Sequence, residues 1–116
     1  MKTFVIDGNN FNDWEGFTKE LYSQFGANWF AFNVAWLEDI LYGGVVGFDY
    51  AEEITFIWKN NLKSKTDLNK ETHVHMNEDV RKEYGGLYEY IITLLRDHSN
   101  IHLQLDSDNG QHNLEV

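Results

Sequence analysis

Residues 33–43 read NVAWLEDILYG, and this stretch predicts a short helix with an acidic flank. At about 100° per residue, three apolar side chains fall within about 60° of one another: Val34, Leu37 and Leu41. A second stripe, roughly 80–140° away, carries Ala35, Asp39 and Tyr42. We therefore expect a helix that buries its leucines and displays a carboxylate beside its apolar face.

Both ends of this helix carry residues that favour helix termination. Asn33 is a good N-cap, and Gly43 is a good residue to follow the last turn. The helix would then be about ten residues long, a length that suits an element displayed to a partner. Its Glu38 and Asp39 are suited to gripping a cationic site through charge-assisted hydrogen bonds.

The charge of the chain is strongly negative and unevenly distributed. Nineteen acidic residues against nine basic ones give a net charge of −10. Residues 1–57 hold nine acids and two bases, whereas residues 58–116 hold ten acids and seven bases. Because nucleic-acid binding needs Lys and Arg to neutralise phosphates, direct binding to nucleic acid is not expected. The electrostatic field of such an acidic chain attracts a basic partner, although the negative charge is also compatible with a role in solubility alone.

Composition restricts the chain to a small class of proteins. A length of 116 residues suits one domain with its own core. The absence of cysteine excludes disulfides, thiol catalysis and thiolate metal sites. The start, MKTFVID, is not that of a signal peptide, and no apolar run is long enough for a membrane span. We expect a soluble cytoplasmic monomer, without a cofactor and without a membrane partner.

Strand and helix patterns surround the acidic helix on both sides. Short strands are predicted at residues 3–7, 54–58 and 101–105. The second of these is nearly continuous in apolar residues, so we expect it at the centre of the sheet, covered on both faces. Helices are predicted from a capping box at Asn12 and Glu15, and from the amphipathic pattern beginning at Leu87, with Leu87, Ile91, Leu94 and Leu95 inward.

The remaining segments lack a clear apolar period. Residues 59–84 are polar, with a short helix indicated near residues 60–65, and are interpreted as a surface insertion. Residues 106–116 are interpreted as a flexible tail after a single domain spanning residues 1–105. The order of elements predicts an α/β fold with a small three-stranded parallel sheet packed with helices.

With this order laid out, the chain resembles the barstar-like family of intracellular ribonuclease inhibitors from Lys2 to about Leu105. The matching pieces are the opening strand, the acidic helix, the strand at residues 54–58, and the closing helix and strand from Leu87. Within the helix, five residues fit the family pattern NLDALWDCLTG directly: Asn33, Leu37, Asp39, Leu41 and Gly43.

The resemblance implies a protein that inhibits an enzyme and catalyses no reaction itself. Members of the family plug the active site of a basic ribonuclease toxin, one to one, with the acidic helix and the loop before it. Asp39 matches the central inhibitory aspartate, Trp29 and Phe30 fall where the family places paired tyrosines, and Asp97 falls at an acidic position on the last helix. Further expected contacts with the partner come from Asn33, Ala35, Glu38, Tyr42 and Gly43.

The chain departs from the family pattern at several of these positions. Ala35 and Glu38 replace an Asp and a Trp, Gly44 replaces a Trp, and Thr93 stands at a glutamate position. The departures favour a toxin nuclease different from the family's best-known partner. They also leave open a second interpretation, in which the protein is a barstar-like interaction module that does not inhibit a nuclease.

Two other groups of residues are of types that carry chemistry in other proteins. His73 and His75 alternate as metal ligands can, but no third ligand stands at a defined spacing. Asp97, His98 and Ser99 are residue types found in hydrolases, yet they are consecutive at a predicted helix end, where local capping is the default. A small hydrolase or nuclease is therefore a third class of function, and the negative charge argues against RNA as its substrate.

Overall fold

Four strands form the sheet at the centre of the described structure. The computed structural model describes residues 2–24, 34–41, 52–106 and 112–113. Its strands are, in spatial order, β1 (Lys2–Asp7), β2 (Ile54–Lys59), β3 (Ile101–Asp106) and β4 (His112–Asn113). β2 pairs in parallel with both β1 and β3, whereas β4 pairs antiparallel with the end of β3. The predicted α/β fold, with three parallel strands and residues 54–58 in the middle, is confirmed.

The end of the chain differs from the sequence-based expectation. A tail is predicted over residues 106–116, but Asp106 ends β3 and two later residues form β4. The antiparallel register pairs Leu105 with Asn113 and Asp106 with His112. A two-residue strand is too short for alternation of polar and apolar residues to reveal it, so its pairing is visible only in three dimensions.

One face of the sheet carries the core. The parallel register aligns two rows of apolar side chains across the strands, Phe4–Phe56–Leu103 and Ile6–Trp58–Leu105. On the opposite face of β2, Thr55 and Ile57 are only half-buried. The expectation that β2 is covered on both faces is therefore wrong for that face. Thr and Ile favour strands whether or not a second layer covers them, so the run of β-formers does not distinguish the two cases.

Three helices lie where the apolar periodicity predicts them: α1 (Trp14–Ser23), α2 (Val34–Leu41) and, near the end of the chain, α6 (Leu87–Arg96). The inward faces of α1 and α6 are buried at Trp14, Phe17, Leu21, Leu87, Ile91 and Leu95, with Leu94 at the margin of the core.

The predicted capping box at the start of α1 is replaced by a different cap. Asp13, not Asn12, is the N-cap, and its carboxylate accepts a hydrogen bond from the Gly16 N–H at 2.8 Å. Asn and Asp cap about equally well, so two adjacent candidates cannot be separated from sequence.

The polar segment at residues 59–84 is more ordered and more buried than predicted. It forms α3 (Asn61–Asn69), α4 (Thr72–His75) and α5 (Glu78–Tyr84). The inward face of α3 is buried at Asn61, Ser64 and Leu68, although the first two of these residues are polar. Because hydrogen bonds rather than apolar contacts satisfy this face, the apolar period that marks an ordinary packed helix is missing. The interpretation of the whole segment as a surface excursion is therefore wrong for α3.

Trp58 joins β2 to three of the helices. Its ring stacks on Phe17 of α1 at a centroid distance of 5.0 Å, with an interplanar angle of 15°, and meets Tyr88 of α6 edge-on at 5.4 Å. Its Nε1–H donates to Ser64 Oγ of α3 at 2.9 Å. Trp58 and Ser64 are both fully buried, so this donor has no access to solvent. One side chain thus fixes the positions of α1, α3 and α6 over the sheet.

The described helices are between four and ten residues long. A helix that crosses a bilayer needs about 20 predominantly apolar residues. Among the described ranges, no helix reaches the length and apolarity that a membrane crossing requires.

Candidate partner-binding surface

Helix α2 has the two-sided character that its sequence predicts. Leu37 and Leu41 are buried, with 0% and 1% of their surfaces exposed. Ala35 and Asp39, on the other flank, are exposed. Because the leucines anchor the helix, the Asp39 carboxylate is held beside the core and remains open to solvent. A carboxylate in that position can reach a cationic group on another protein without unfolding any part of this one.

Five of the predicted partner-binding residues lie outside the described residues: Trp29, Phe30, Asn33, Tyr42 and Gly43. Their assignments, including the two caps of α2, stay predictions. The described part of the candidate surface therefore consists of Ala35, Glu38, Asp39 and Asp97.

Glu38 contacts the last helix rather than projecting fully into solvent. It is half-buried, and its Oε1 accepts a hydrogen bond from Tyr90 Oη of α6 at 2.5 Å. Burial and the hydrogen bond to the Glu38 carboxylate raise the pKa of Tyr90 well above its ordinary value, so the phenol stays protonated and keeps donating. The Tyr90 ring also packs edge-on against Tyr84 of α5, with centroids 4.7 Å apart. Glu38 thus ties α2 to α6.

Asp39, one residue further, is exposed, and its charge acts on a tyrosine of α1. Burial and the negative charge of Asp39 raise the pKa of Tyr22, a residue of α1 with only 5% of its surface exposed. Since successive residues of a helix point about 100° apart, Glu38 and Asp39 face different neighbours. Glu38 therefore contacts α6, whereas the charge of Asp39 acts on Tyr22 of α1.

Asp97 follows the last turn of α6 and is exposed. Its backbone remains helical, and its N–H donates to the Thr93 carbonyl at 2.9 Å. Seven residues separate it from Tyr90, which places the two on the same side of α6, about 10 Å apart along the axis. Because Tyr90 contacts Glu38, this is the side of α6 that faces α2. The structure therefore places Asp97 on the side of α6 whose Tyr90 bonds to Glu38.

The two histidines considered as metal ligands have separate surroundings. The His75 ring packs against Trp14 at a centroid distance of 5.0 Å, and its Nε2 lies 3.7 Å from Glu71 Oε1. His73 is exposed on the same short helix. Within the described ranges, no three His, Cys, Asp or Glu side chains are grouped so as to hold a metal ion.

Residues 97–99 form the connection from α6 to β3. His98 is buried, its N–H donates to the Leu95 carbonyl at 3.4 Å, and its own carbonyl accepts from Ile101 N–H at 3.0 Å. These backbone bonds match the capping role that is the default for a helix end. The hypothesis of a nucleophile and base at Asp97, His98 and Ser99 gains no geometric support from them.

Tyr90 supports the candidate surface through its bond to Glu38, and it was not among the residues expected there from the sequence. The contact joins residues 52 positions apart in the chain, and no local pattern signals such a pairing. Comparisons of the chain with protein-family models, with curated proteins and with solved structures find no match. The likeness to the barstar-like family therefore rests on the residues quoted above.

Proposed function

We propose that this protein is an inhibitor of a basic ribonuclease toxin, an intracellular immunity or antitoxin protein that occludes the toxin's active site with α2. The observation that carries the proposal is the exposed Asp39 on a helix anchored by two fully buried leucines. A carboxylate held on a rigid element loses little conformational entropy when it binds, which favours affinity.

The chemistry of the intended target supports this role for a carboxylate. A ribonuclease that works by general acid–base catalysis gathers cationic and titratable side chains around the scissile phosphate. An inserted aspartate occupies the phosphate position and accepts charge-assisted hydrogen bonds, best from a planar guanidinium. The inhibitor performs no reaction, and the toxin is silenced because its substrate cannot enter.

The distribution of charge supports attraction to a basic partner. The chain carries −10 overall, and the half that contains α2 has nine acids and two bases. Complementary charge accelerates association and makes it depend on salt. Asp97, just beyond the last turn of α6, is another exposed carboxylate of this acidic chain. Glu38 contributes to the field but is already hydrogen-bonded to Tyr90.

The experiment is a capture assay with a matched control. Wild type, Asp39→Ala and Asp79→Ala are immobilised and exposed to lysate of the source organism. Asp79 is an exposed acid in the first turn of α5, so its variant changes the net charge equally, on a different helix. We expect wild type and Asp79→Ala to retain a basic ribonuclease that is silent when bound and active when released.

Asp39→Ala should lose this partner, because truncating one member of a buried charge pair costs about 2–5 kcal/mol. Calorimetry on the purified pair then checks one-to-one binding and its loss at high salt. Equal retention of the nuclease by Asp39→Ala and wild type would refute the assignment of the site. All baits are first compared by circular dichroism and thermal melting to show that they are folded.

An interaction module without nuclease inhibition is the second candidate. Two features favour it: Ala35 stands exposed where the family pattern has an acid, and Glu38 is engaged by Tyr90. Among the described residues of α2, this leaves Asp39 as the exposed carboxylate. Capture of one non-nuclease partner by wild type and Asp39→Ala alike, with no ribonuclease retained, would select this function over inhibition.

A further inference from the structure

Strand β1 forms one border of the described sheet, because β2 pairs with it along its other edge. The backbone N–H groups of successive residues in a strand point to opposite edges. Lys2 N–H donates to the Glu53 carbonyl, just before β2, at 3.1 Å. The N–H groups of Val5 and Asp7, at alternate positions, therefore point away from β2. The outer edge of a sheet with such donors is a template for pairing with another strand.

Two side chains from α1 and its C-terminal end occupy this edge. Val5 N–H donates to Gln24 Oε1 at 3.0 Å, and Asp7 N–H donates to Glu20 Oε2 at 3.0 Å. The same Glu20 oxygen accepts a hydrogen bond from Asn10 Nδ2 at 2.9 Å, which helps to hold the carboxylate in place. Two donors that an added strand would need are thus bonded within the chain.

The dimensions of helix and strand explain how one helix reaches both donors. Glu20 lies on α1, and Gln24 follows its last residue with a backbone that is still helical. Four residues of helix advance about 6 Å. Val5 and Asp7, two residues apart in a strand, are separated by about 6.6 Å. Because these two lengths nearly agree, acceptors at helix positions 20 and 24 match alternate donors of the strand edge.

The outer edge of β1 is complementary to a second copy of itself. In an antiparallel pair centred on Val5, the two valines would stand opposite each other, and Thr3 would face Asp7 of the other copy. The N–H groups of these three residues point outward, so the register gives hydrogen-bonded pairs. An apolar pair and a hydroxyl opposite a carboxylate are both favourable across strands.

We propose that Glu20 and Gln24 keep this protein monomeric by occupying the outer edge of β1, and that the partner of this edge, once it is opened, is β1 of a second copy. Both side chains have to leave their N–H groups before another strand can pair there. The proposal does not depend on the function proposed for α2.

The test is the double variant Glu20→Ala/Gln24→Ala, which removes both acceptors and places a good helix former at each position. Sedimentation velocity should give wild type the monomer mass of 13.6 kDa at every concentration. The mass of the double variant should rise with concentration towards twice that value. In dilute solution, hydrogen exchange at Val5 and Asp7 should be about tenfold faster than in wild type, because both acceptors are gone.

Two control variants separate loss of the acceptor from loss of charge. Glu15→Ala removes the same charge from the same helix, where the carboxylate bonds to Lys19 at the surface, and should stay monomeric. Glu20→Gln keeps an acceptor oxygen without the charge, and should also stay monomeric. Circular dichroism and thermal melting show which variants are folded. If the double variant does not fold, Gln24→Ala alone opens the Val5 donor and should associate more than Glu15→Ala.

A pair of lysine substitutions in the double variant tests the register. Val5→Lys would place two lysines opposite each other and should restore the monomer, whereas Thr3→Lys would face Asp7 of the other copy and should preserve association. A constant monomer mass for the folded double variant, wild type that already pairs through β1, association of Glu20→Gln as strong as that of the double variant, or equal effects of the two lysines would each overturn the proposal.

Discussion

The hydrogen bond between Tyr90 and Glu38 holds α2 against α6, and removing it should have a measurable cost. Tyr90→Phe deletes the donor hydroxyl and keeps the ring, including its edge-on contact with Tyr84. A hydrogen bond to a charged group is worth about 1.5–3 kcal/mol when buried. Tyr90 and Glu38 are both half-buried, so the carboxylate regains water in the variant and the expected loss is about 1 kcal/mol.

The assay is urea unfolding followed by circular dichroism at pH 7. A loss of about 1 kcal/mol corresponds to a decrease of about 4 °C in the melting temperature of a chain of this size. Tyr84→Phe is the matched control, because it removes a hydroxyl from the neighbouring ring, and its stability should change by less than about 0.5 kcal/mol. In a Glu38→Ala background, Tyr90→Phe should cost little, since the acceptor is already gone.

The pH dependence gives an independent check of the same contact. Because the folded pKa of Tyr90 is raised above its ordinary value of 10.0, its contribution is complete below pH 10 and is lost as the pH rises beyond it. The stability difference between wild type and Tyr90→Phe should therefore shrink above about pH 10. A difference that stays constant to higher pH, or an equal cost in the Glu38→Ala background, would refute the reasoning.

Three further predictions concern the junction of β1, β2 and α3. Ser64→Ala leaves the buried Trp58 Nε1–H without an acceptor, which should lower the free energy of unfolding by about 1–3 kcal/mol. The higher helix propensity of alanine offsets about 0.5 kcal/mol of this loss, and urea unfolding measures the net change. Gly8→Ala would place a Cβ 2.4 Å from the backbone oxygen of Asn60 and 2.5 Å from Ser64 Oγ. We therefore expect the free energy of unfolding to fall by more than about 2 kcal/mol, and an unchanged melting temperature would contradict this close approach. The pKa of Asp7 is lowered from 3.8, because hydrogen bonds from Asn60 and from a backbone N–H, together with nearby lysines, outweigh the effect of burial, which alone would raise it. Its contribution is present above pH 3.8 and lost as the pH falls below it, so the stability gap between wild type and Asp7→Asn should narrow in acid, as unfolding at about pH 6 and pH 3 would reveal.

Local patterns in the sequence determined the elements whose apolar residues repeat regularly. Residues 54–58 indicated the central strand, and Leu87, Ile91 and Leu95 indicated the inward face of α6, because burial of one side imposes a period on the chain. The same rule predicted that Leu37 and Leu41 are buried on α2 and that Asp39 is exposed. These features follow from residues within one helix or strand, so a single stretch of sequence contains all the information that predicts them.

Tertiary structure alone decided the features that depend on distant partners. Two of the three buried residues on the inward face of α3 are polar, Asn61 and Ser64, and their bonds to Tyr88 and Trp58 explain how they are buried. The pairing of β4 with β3 has too few residues to leave a pattern. Likewise, Glu38 ties α2 to α6 because Tyr90 meets it from 52 positions away. Sequence periodicity reports which face of an element is apolar, whereas hydrogen bonds between elements depend on where the folded chain brings them.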